Sequence, residues 1–201
     1  MTPPEALLLD LDAQWQALGE PRIRIRILGS LSLMLQTNYD RITKDGDILF
    51  APPVEGPVKD QLLALGGPET ALAKRHRVYV DIVNSGILLL PHHPSYNPLP
   101  DLTARLKHFE VEALSILDVV ITKMNPFRTT DIKDITAMID RGHVTHEQFL
   151  TRFQSAVDRF ADGATGAAKL PRIVKNFNWI EEVAFGVEPT PIELPPWVDE
   201  A

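Results

Sequence analysis

The chain has 201 residues, 44% of them hydrophobic and 23% charged, enough to bury a core and too apolar for wholesale disorder. It contains no cysteine, which excludes a disulfide framework, a thiol nucleophile and a cysteine-ligated zinc. The net charge of −7 excludes broad, nonspecific adhesion to nucleic acid.

From Pro4 to Leu18 apolar residues recur at helical spacing, and Gly19 before Pro21 ends the pattern. No basic segment precedes this stretch and no run of about eighteen apolar residues occurs, so no signal peptide or membrane span is expected, and a cytoplasmic location is. RIRIRIL, residues 22–28, alternates strictly, which predicts a half-buried strand with isoleucines on one face and arginines on the other. Gly29-Ser30 breaks it. A short helix is expected over 31–38, a loop over 39–46, a strand over Asp47–Phe50 and a rigid turn over 51–57. Residues 58–67 read as a helix and 77–86 as a strand, with Val78, Val80 and Ile82 on one side and Tyr79 and Asp81 on the other. A Pro- and His-rich loop follows from Pro91 to Pro100, then a further strand within 104–114. The rest is helical: 115–124, opened by Ser115 with Asp118 completing a capping box, then about 130–141, 145–161 and 169–185. Strands thus gather early and helices late, which predicts an α+β fold: a small mixed sheet with flanking helices, followed by a C-terminal helical bundle.

The densest group of chemically suggestive residues is ILGSLSLMLQTNYDRITKDGDILF, residues 27–50. Gly29 permits a tight turn and close approach of a phosphate, and Ser30 begins a helix whose free N–H groups attract anions. Asp45 and Asp47, two apart on a strand, project to one face with Cα atoms roughly 6.5 Å apart. Two carboxylates at that spacing repel by about 2–3 kcal/mol at surface-like dielectric, unless a cation or proton intervenes. Mg²⁺, an oxygen-seeking ion that shares its coordination with substrate phosphates, is the natural cation, with Mn²⁺ able to stand in for it. Asp81, inside an apolar strand, faces either solvent or the aspartate pair. In the second case three carboxylates can serve two metals, or Asp81 can take a hydroxyl proton as general base.

Gly29-Ser30 followed by Arg41-Ile42-Thr43-Lys44-Asp45-Gly46-Asp47 resembles the signature of the polymerase-β-like nucleotidyltransferase superfamily. Within it, the R-x-T-x-D-x-D form resembles the AbiEii-like toxin nucleotidyltransferases and their bacterial relatives. Residues 114–123, ending in Lys123, with Arg128, Asp131 and Asp134 beyond, are similar to the same group's K…R…D-x-x-D stretch. The resemblance covers about residues 25–140. The distribution of strands, helices and prolines divides the chain into a nucleotidyltransferase-like core over 1–113, a helical domain over 114–187 and a Pro-rich tail over 188–201, and the last 60 residues lie outside the resemblance. The resemblance implies that Gly29 and Ser30 hold the triphosphate, that Asp45, Asp47 and Asp81 bind the metal and carry catalysis, and that Lys123 neutralises the triphosphate. Arg41, Thr43, Lys44 and Arg128 join the substrate-binding set. The implied reaction moves a nucleotide from NTP to a hydroxyl of RNA or protein, in a cleft between sheet and bundle, with a toxin role beside an antitoxin protein. Gly46 departs from the family pattern, standing where an apolar residue usually anchors the strand. A looser strand start is therefore expected.

Other readings of the same residues stand beside these. Asp81 could be a solvated strand residue, and Lys123 could pair with Asp131 or Asp134 in a structural ion network that includes Arg128. Arg41 and Thr43 could tie down their loop through local hydrogen bonds. The basic runs Arg22, Arg24, Arg26 and Lys74–Arg77 read first as solvated strand faces or ends, before nucleic-acid contacts. His92-His93 and His143-x-x-His146 lack a partner set for a metal. Trp15, Phe149, Phe153, Phe160, Phe177 and Trp179 fall at helical spacings and read as core. Two rival functions follow: a catalytically degenerate module that binds nucleotide or protein, and a metal-dependent phosphodiesterase.

Overall fold

The computed structural model describes residues 2–16, 22–37, 39–41, 43, 45–50, 56–83, 88–163, 166–194 and 198. They form two compact units. The first comprises residues 1–84 and 96–114, and the second residues 85–95 and 115–201.

The first unit is built on a five-stranded mixed sheet. Its strands are β1 (Ile23–Ile27), β2 (Asp45–Phe50), β3 (Tyr79–Ile82), β4 (Tyr96–Pro98) and β5 (Phe109–Leu114), in the order β3-β2-β1-β5-β4. β1 runs antiparallel to β2 and parallel to β5, and β2 runs parallel to β3. Alternation puts Ile25, Ile27, Ile48, Phe50, Val80, Phe109 and Val111 into the core. That face is covered by Leu7, Leu8 and Leu11 of α1 (Pro3–Gln14), Leu31 of α2 (Gly29–Gln36), Leu62 of α3 (Gly56–Gly66) and Leu72 of α4 (Ala71–His76). Trp15 packs edge-on to Phe109, with ring centroids 4.9 Å apart. Asp12 is buried in α1 because its carboxylate accepts from the backbone N–H groups of Lys107 and His108, at 2.9 and 2.8 Å. It ties the helix to the turn that leads into β5.

The opposite face is polar. Arg24 and Arg26 on β1 meet Glu110 and Glu112 on β5, each pair at 2.9 Å. Arg26 also lies over the Tyr96 ring, 3.9 Å from its centroid. The arginines thus line a strand face, as expected, but one paired with glutamates and not simply solvated. Lys74–Arg77 is not a strand: Lys74, Arg75 and His76 form the last turn of α4, and Arg77 caps it in the left-handed conformation. Cations there complement the helix dipole, and Arg75 and His76 both reach Asp10 of α1, at 3.0 and 2.8 Å.

Other boundaries moved. α2 begins at Gly29 rather than after Ser30, and β2 begins at Asp45, so both aspartates lie within the strand. The segment expected as a loop, Pro91–Pro100, contains β4 and is followed from its last residue by a helical turn, α5 (Pro100–Thr103). The turn expected over 51–57, the strand end beyond 83 and the helix end at 17–19 fall at least partly outside the described residues.

The second unit contains α6 (Ile116–Thr122), α7 (Thr129–Asp140), α8 (His146–Ala161) and α9 (Leu170–Ile180), the last continued by a π-helical turn at Glu181–Phe185. Phe149, Phe153 and Phe177 stack at its centre, with Phe177 4.8 Å from Phe149 and 4.1 Å from Phe153. Trp179 is not core. The buried face of α9 is Ile173, Phe177 and Ile180, so residue 179 points off it, and Trp179 is 38% exposed with its ring edge-on to Phe127. Ser115 caps α6 by accepting from the Asp118 N–H. The Asp118 carboxylate does not return the cap. Fully buried, it accepts from Ser95 N–H at 2.6 Å and from Arg152 at 2.5 and 2.7 Å. That pairing holds the Arg152 guanidinium above its ordinary pKa. Thr190 is anchored on this unit: fully buried Glu181 pairs with His146 and accepts from the Thr190 N–H and hydroxyl, each at 2.7 Å.

Candidate active site

The site is built where β1 turns into α2 beside the start of β2. The register that pairs Ile27 with Ile48 continues through a hydrogen bond from Leu28 N–H to the Asp47 carbonyl, 2.8 Å. The chain then turns at Gly29, whose φ of +58° is unstrained only for a residue without Cβ. A Cβ on Gly29 would lie 2.7 Å from Asp47 Oδ2. The dihedral favours glycine, and any Cβ here would also have to displace the carboxylate oxygen pressed against it. Ser30 follows in the first turn of α2, and the Arg41 guanidinium donates to its hydroxyl.

Asp45 and Asp47 share the polar face of β2. Asp45 is exposed, Asp47 half-buried. The buried Thr43 hydroxyl donates to Asp45, 3.1 Å from Oδ1 and 3.2 Å from the backbone carbonyl, and so orients that carboxylate. On the neighbouring parallel strand, Tyr79 pairs with Asp45 and Asp81 with Asp47. Register partners point the same way, so Asp81 and Tyr79 join the aspartates' face. The electrostatics agree. The Tyr79 hydroxyl is pushed above its ordinary pKa first by burial and then by the charges of Asp45, Asp81 and Asp47.

The structure therefore brings together Gly29, Ser30, Arg41, Thr43, Asp45, Asp47 and Asp81, all in the first unit. Lys44 lies outside the described residues. Lys123 and Arg128 belong to the second unit. There the buried Lys123 ammonium sits 3.1 Å from Asp131 and 2.8 Å from Asp134, both buried, while the backbone N–H of Arg128 donates to Asp131 at 2.9 Å. The pairing named as the other reading of Lys123 is thus present with both aspartates, while Arg128 meets Asp131 through its backbone N–H. Tyr79 had no role assigned from sequence, although the alternation that placed Asp81 on this face placed Tyr79 there too.

Among the described residues no group of three or more His, Asp or Glu side chains is gathered closely enough to hold a metal ion by itself. Mg²⁺ does not require one, because it is commonly held by one or two carboxylates and completes its octahedron with water and substrate phosphates. Asp45 and Asp47 offer the hard oxygen donors this mode uses, beside the first turn of α2.

Comparison with known proteins agrees with this geometry. The sequence model of DUF6036, described as a nucleotidyltransferase of unknown function, matches residues 6–164. The chain belongs to this nucleotidyltransferase family. The match spans the whole strand–turn–helix–strand site and the helices through α8. No curated protein and no solved structure matches the chain. Among the described residues of this DUF6036 member, no helix is long and apolar enough to cross a membrane.

Proposed function

We propose that this DUF6036 protein transfers a nucleoside monophosphate from an NTP, bound with Mg²⁺ or Mn²⁺, to a hydroxyl of RNA or of a protein. The observation that carries this reading is the contact between the Gly29 turn and Asp47, where a Cβ would come within 2.7 Å of the carboxylate. It sets an anion-accepting helix start beside the residues suited to a divalent cation.

Asp45 and Asp47 would hold the metal, which when bound supplies positive charge against the triphosphate. The Gly29–Ser30 turn offers backbone N–H groups to phosphate oxygens, and Arg41, anchored on Ser30, borders them with a guanidinium. Thr43 keeps Asp45 oriented. The acceptor oxygen bonds to the α-phosphorus, the α–β bridging P–O bond breaks, and pyrophosphate leaves. The acceptor's proton passes to Asp81, which shares the face in register with Asp47. Lys123 and Arg128 are assigned to the triphosphate by family resemblance, as is a toxin role opposed by an antitoxin.

The test incubates purified protein with Mg²⁺, labelled NTPs and total RNA or cell protein. Label should appear on an acceptor and vanish with Asp45→Ala/Asp47→Ala. Nuclease and protease sensitivity then identify the acceptor. Equal labelling by the double variant overturns the catalytic assignment, and metal-dependent NTP binding without transfer supports the degenerate module instead. Growth arrest on expression of wild type, but not of the double variant, supports the toxin role.

A further inference from the structure

Gly46 separates the two aspartates and faces the core, on the opposite side of β2 from their carboxylates. A Cβ there would lie 2.9 Å from Leu31 Cδ2 and 3.2 Å from the Tyr79 carbonyl oxygen. The space under this glycine is therefore filled. At Gly56, Gly142 and Gly186, by contrast, a Cβ would meet nothing within 4 Å. Leu31, 2% exposed, is the third residue of α2 and comes two positions after Gly29. The first turn of α2 thus grips β2 from both sides. Gly29 rests against the Asp47 carboxylate on the polar face, and Leu31 fits beneath Gly46 on the apolar face.

The geometry points to Leu31 and Gly46 as a positioning pair, a knob and the notch that receives it, which fixes how closely the Gly29–Ser30 turn approaches Asp45 and Asp47. Through that spacing the pair sets the affinity for metal-bound triphosphate. A residue with any side chain at 46 pushes Leu31 outward and carries the first turn of α2 with it, because Leu31 and Ser30 are adjacent on a short helix. The inference rests on the nucleotidyltransferase reading. It also accounts for the departure of Gly46 from the family pattern: the anchoring apolar group is present, supplied by α2 instead of by β2.

The full chain supplies its own control. A Cβ on Gly66 would lie 2.8 Å from Leu11 Cδ1 and 3.1 Å from Val80 Cγ2, a comparable steric insult to the same core cluster but one whose nearest neighbours do not include Leu31. Calorimetric titration with the Mg²⁺ complexes of α,β-methylene NTPs, well below each melting temperature, compares wild type with Gly46→Ala, Leu31→Ala, their double variant and Gly66→Ala. Both glycine variants should melt lower. Gly46→Ala should bind about tenfold more weakly, the double variant more tightly than Gly46→Ala alone, and Gly66→Ala like wild type. Should Gly46→Ala not fold, Leu31→Ala carries the test, with weaker binding expected. Wild-type affinity in Gly46→Ala or in Leu31→Ala, or an equal loss in Gly66→Ala, overturns the positioning role alone. Absence of Mg²⁺–NTP binding by the wild type overturns the nucleotidyltransferase reading and takes this inference with it.

Discussion

Asp47 and Asp81 stand opposite one another in register on the parallel strands β2 and β3. Neighbouring strands are about 4.8 Å apart, so two like charges share a narrow stretch of the sheet's polar face, with Asp45 one register step away. Such a placement lowers stability, by an amount that solvent reduces, since Asp45 and Asp81 are exposed and Asp47 is half-buried.

Tyr79 reports on that cluster. Its ionisation is raised by burial and by the three carboxylates, so removing their charge lowers it toward the ordinary tyrosine value of about 10. In a Tyr39→Phe/Tyr96→Phe background, phenolate absorbance should rise at lower pH in Asp45→Asn/Asp47→Asn than with the aspartates intact. A titration unchanged in the double variant speaks against the aspartates' charges acting on Tyr79.

Gly29→Ala combines a left-handed backbone with a methyl group driven into the Asp47 carboxylate. The dihedral costs about 1 kcal/mol, or about 2–4 °C in melting temperature for a chain of this size. Displacing the carboxylate by about an ångström should cost nucleotidyl transfer about a hundredfold. Loss of stability with transfer unchanged contradicts the assignment of the turn.

Asp10 couples α1 to α4. Its carboxyl is held below the usual carboxylate value by hydrogen bonds from His76 first and Arg75 second. A carboxylate depressed on folding stabilises above the unfolded pKa of about 4, and loses that contribution as pH falls through the lowered folded value. The side chain is 37% exposed, so solvent screening limits the effect of Asp10→Asn to about 0.5 kcal/mol at neutral pH. Thermal melts should show wild type and variant converging as the pH is taken below 4.

Lys123→Met leaves Asp131 and Asp134 buried without their cation. Breaking a buried ion network in this way costs about 3–5 kcal/mol, visible in urea unfolding. Adding Asp131→Asn and Asp134→Asn should recover part of the loss. If the triple variant is stable yet binds nucleotide poorly, the phosphate assignment for Lys123 gains support beyond its structural one.

Much of the site was legible because it is local. The alternation of RIRIRIL, the Gly29 break and the spacing of Asp45 and Asp47 each dictate backbone within a few residues, and the period of two placed Asp81 and Tyr79 on one face. What escaped depends on distant partners. β4 is three residues long and exists because Tyr96 and its neighbours pair with β5. Asp118 carries a capping signal toward Ser115, but its carboxylate is claimed by Ser95 and Arg152, 23 and 34 residues away. Gly46 read as a weakness because nothing local reveals that Leu31, fifteen positions earlier, occupies its side-chain space. Gly29 read as the break that ends the strand, and it is also the first residue of the helix that follows.

The two compact units are interleaved along the chain: residues 85–95 fold with the second, and 96–114 return to complete the first. A fragment beginning at 115 would lack Leu89 and Leu90, 0% and 1% exposed in the intact protein. A fragment ending at 84 would lack β5, the parallel neighbour of β1. No single cut yields two self-sufficient pieces. Proteolytic nicking between the units should therefore leave fragments that must stay associated to remain folded, and shuffling the sheet unit between proteins requires moving nearly the whole chain.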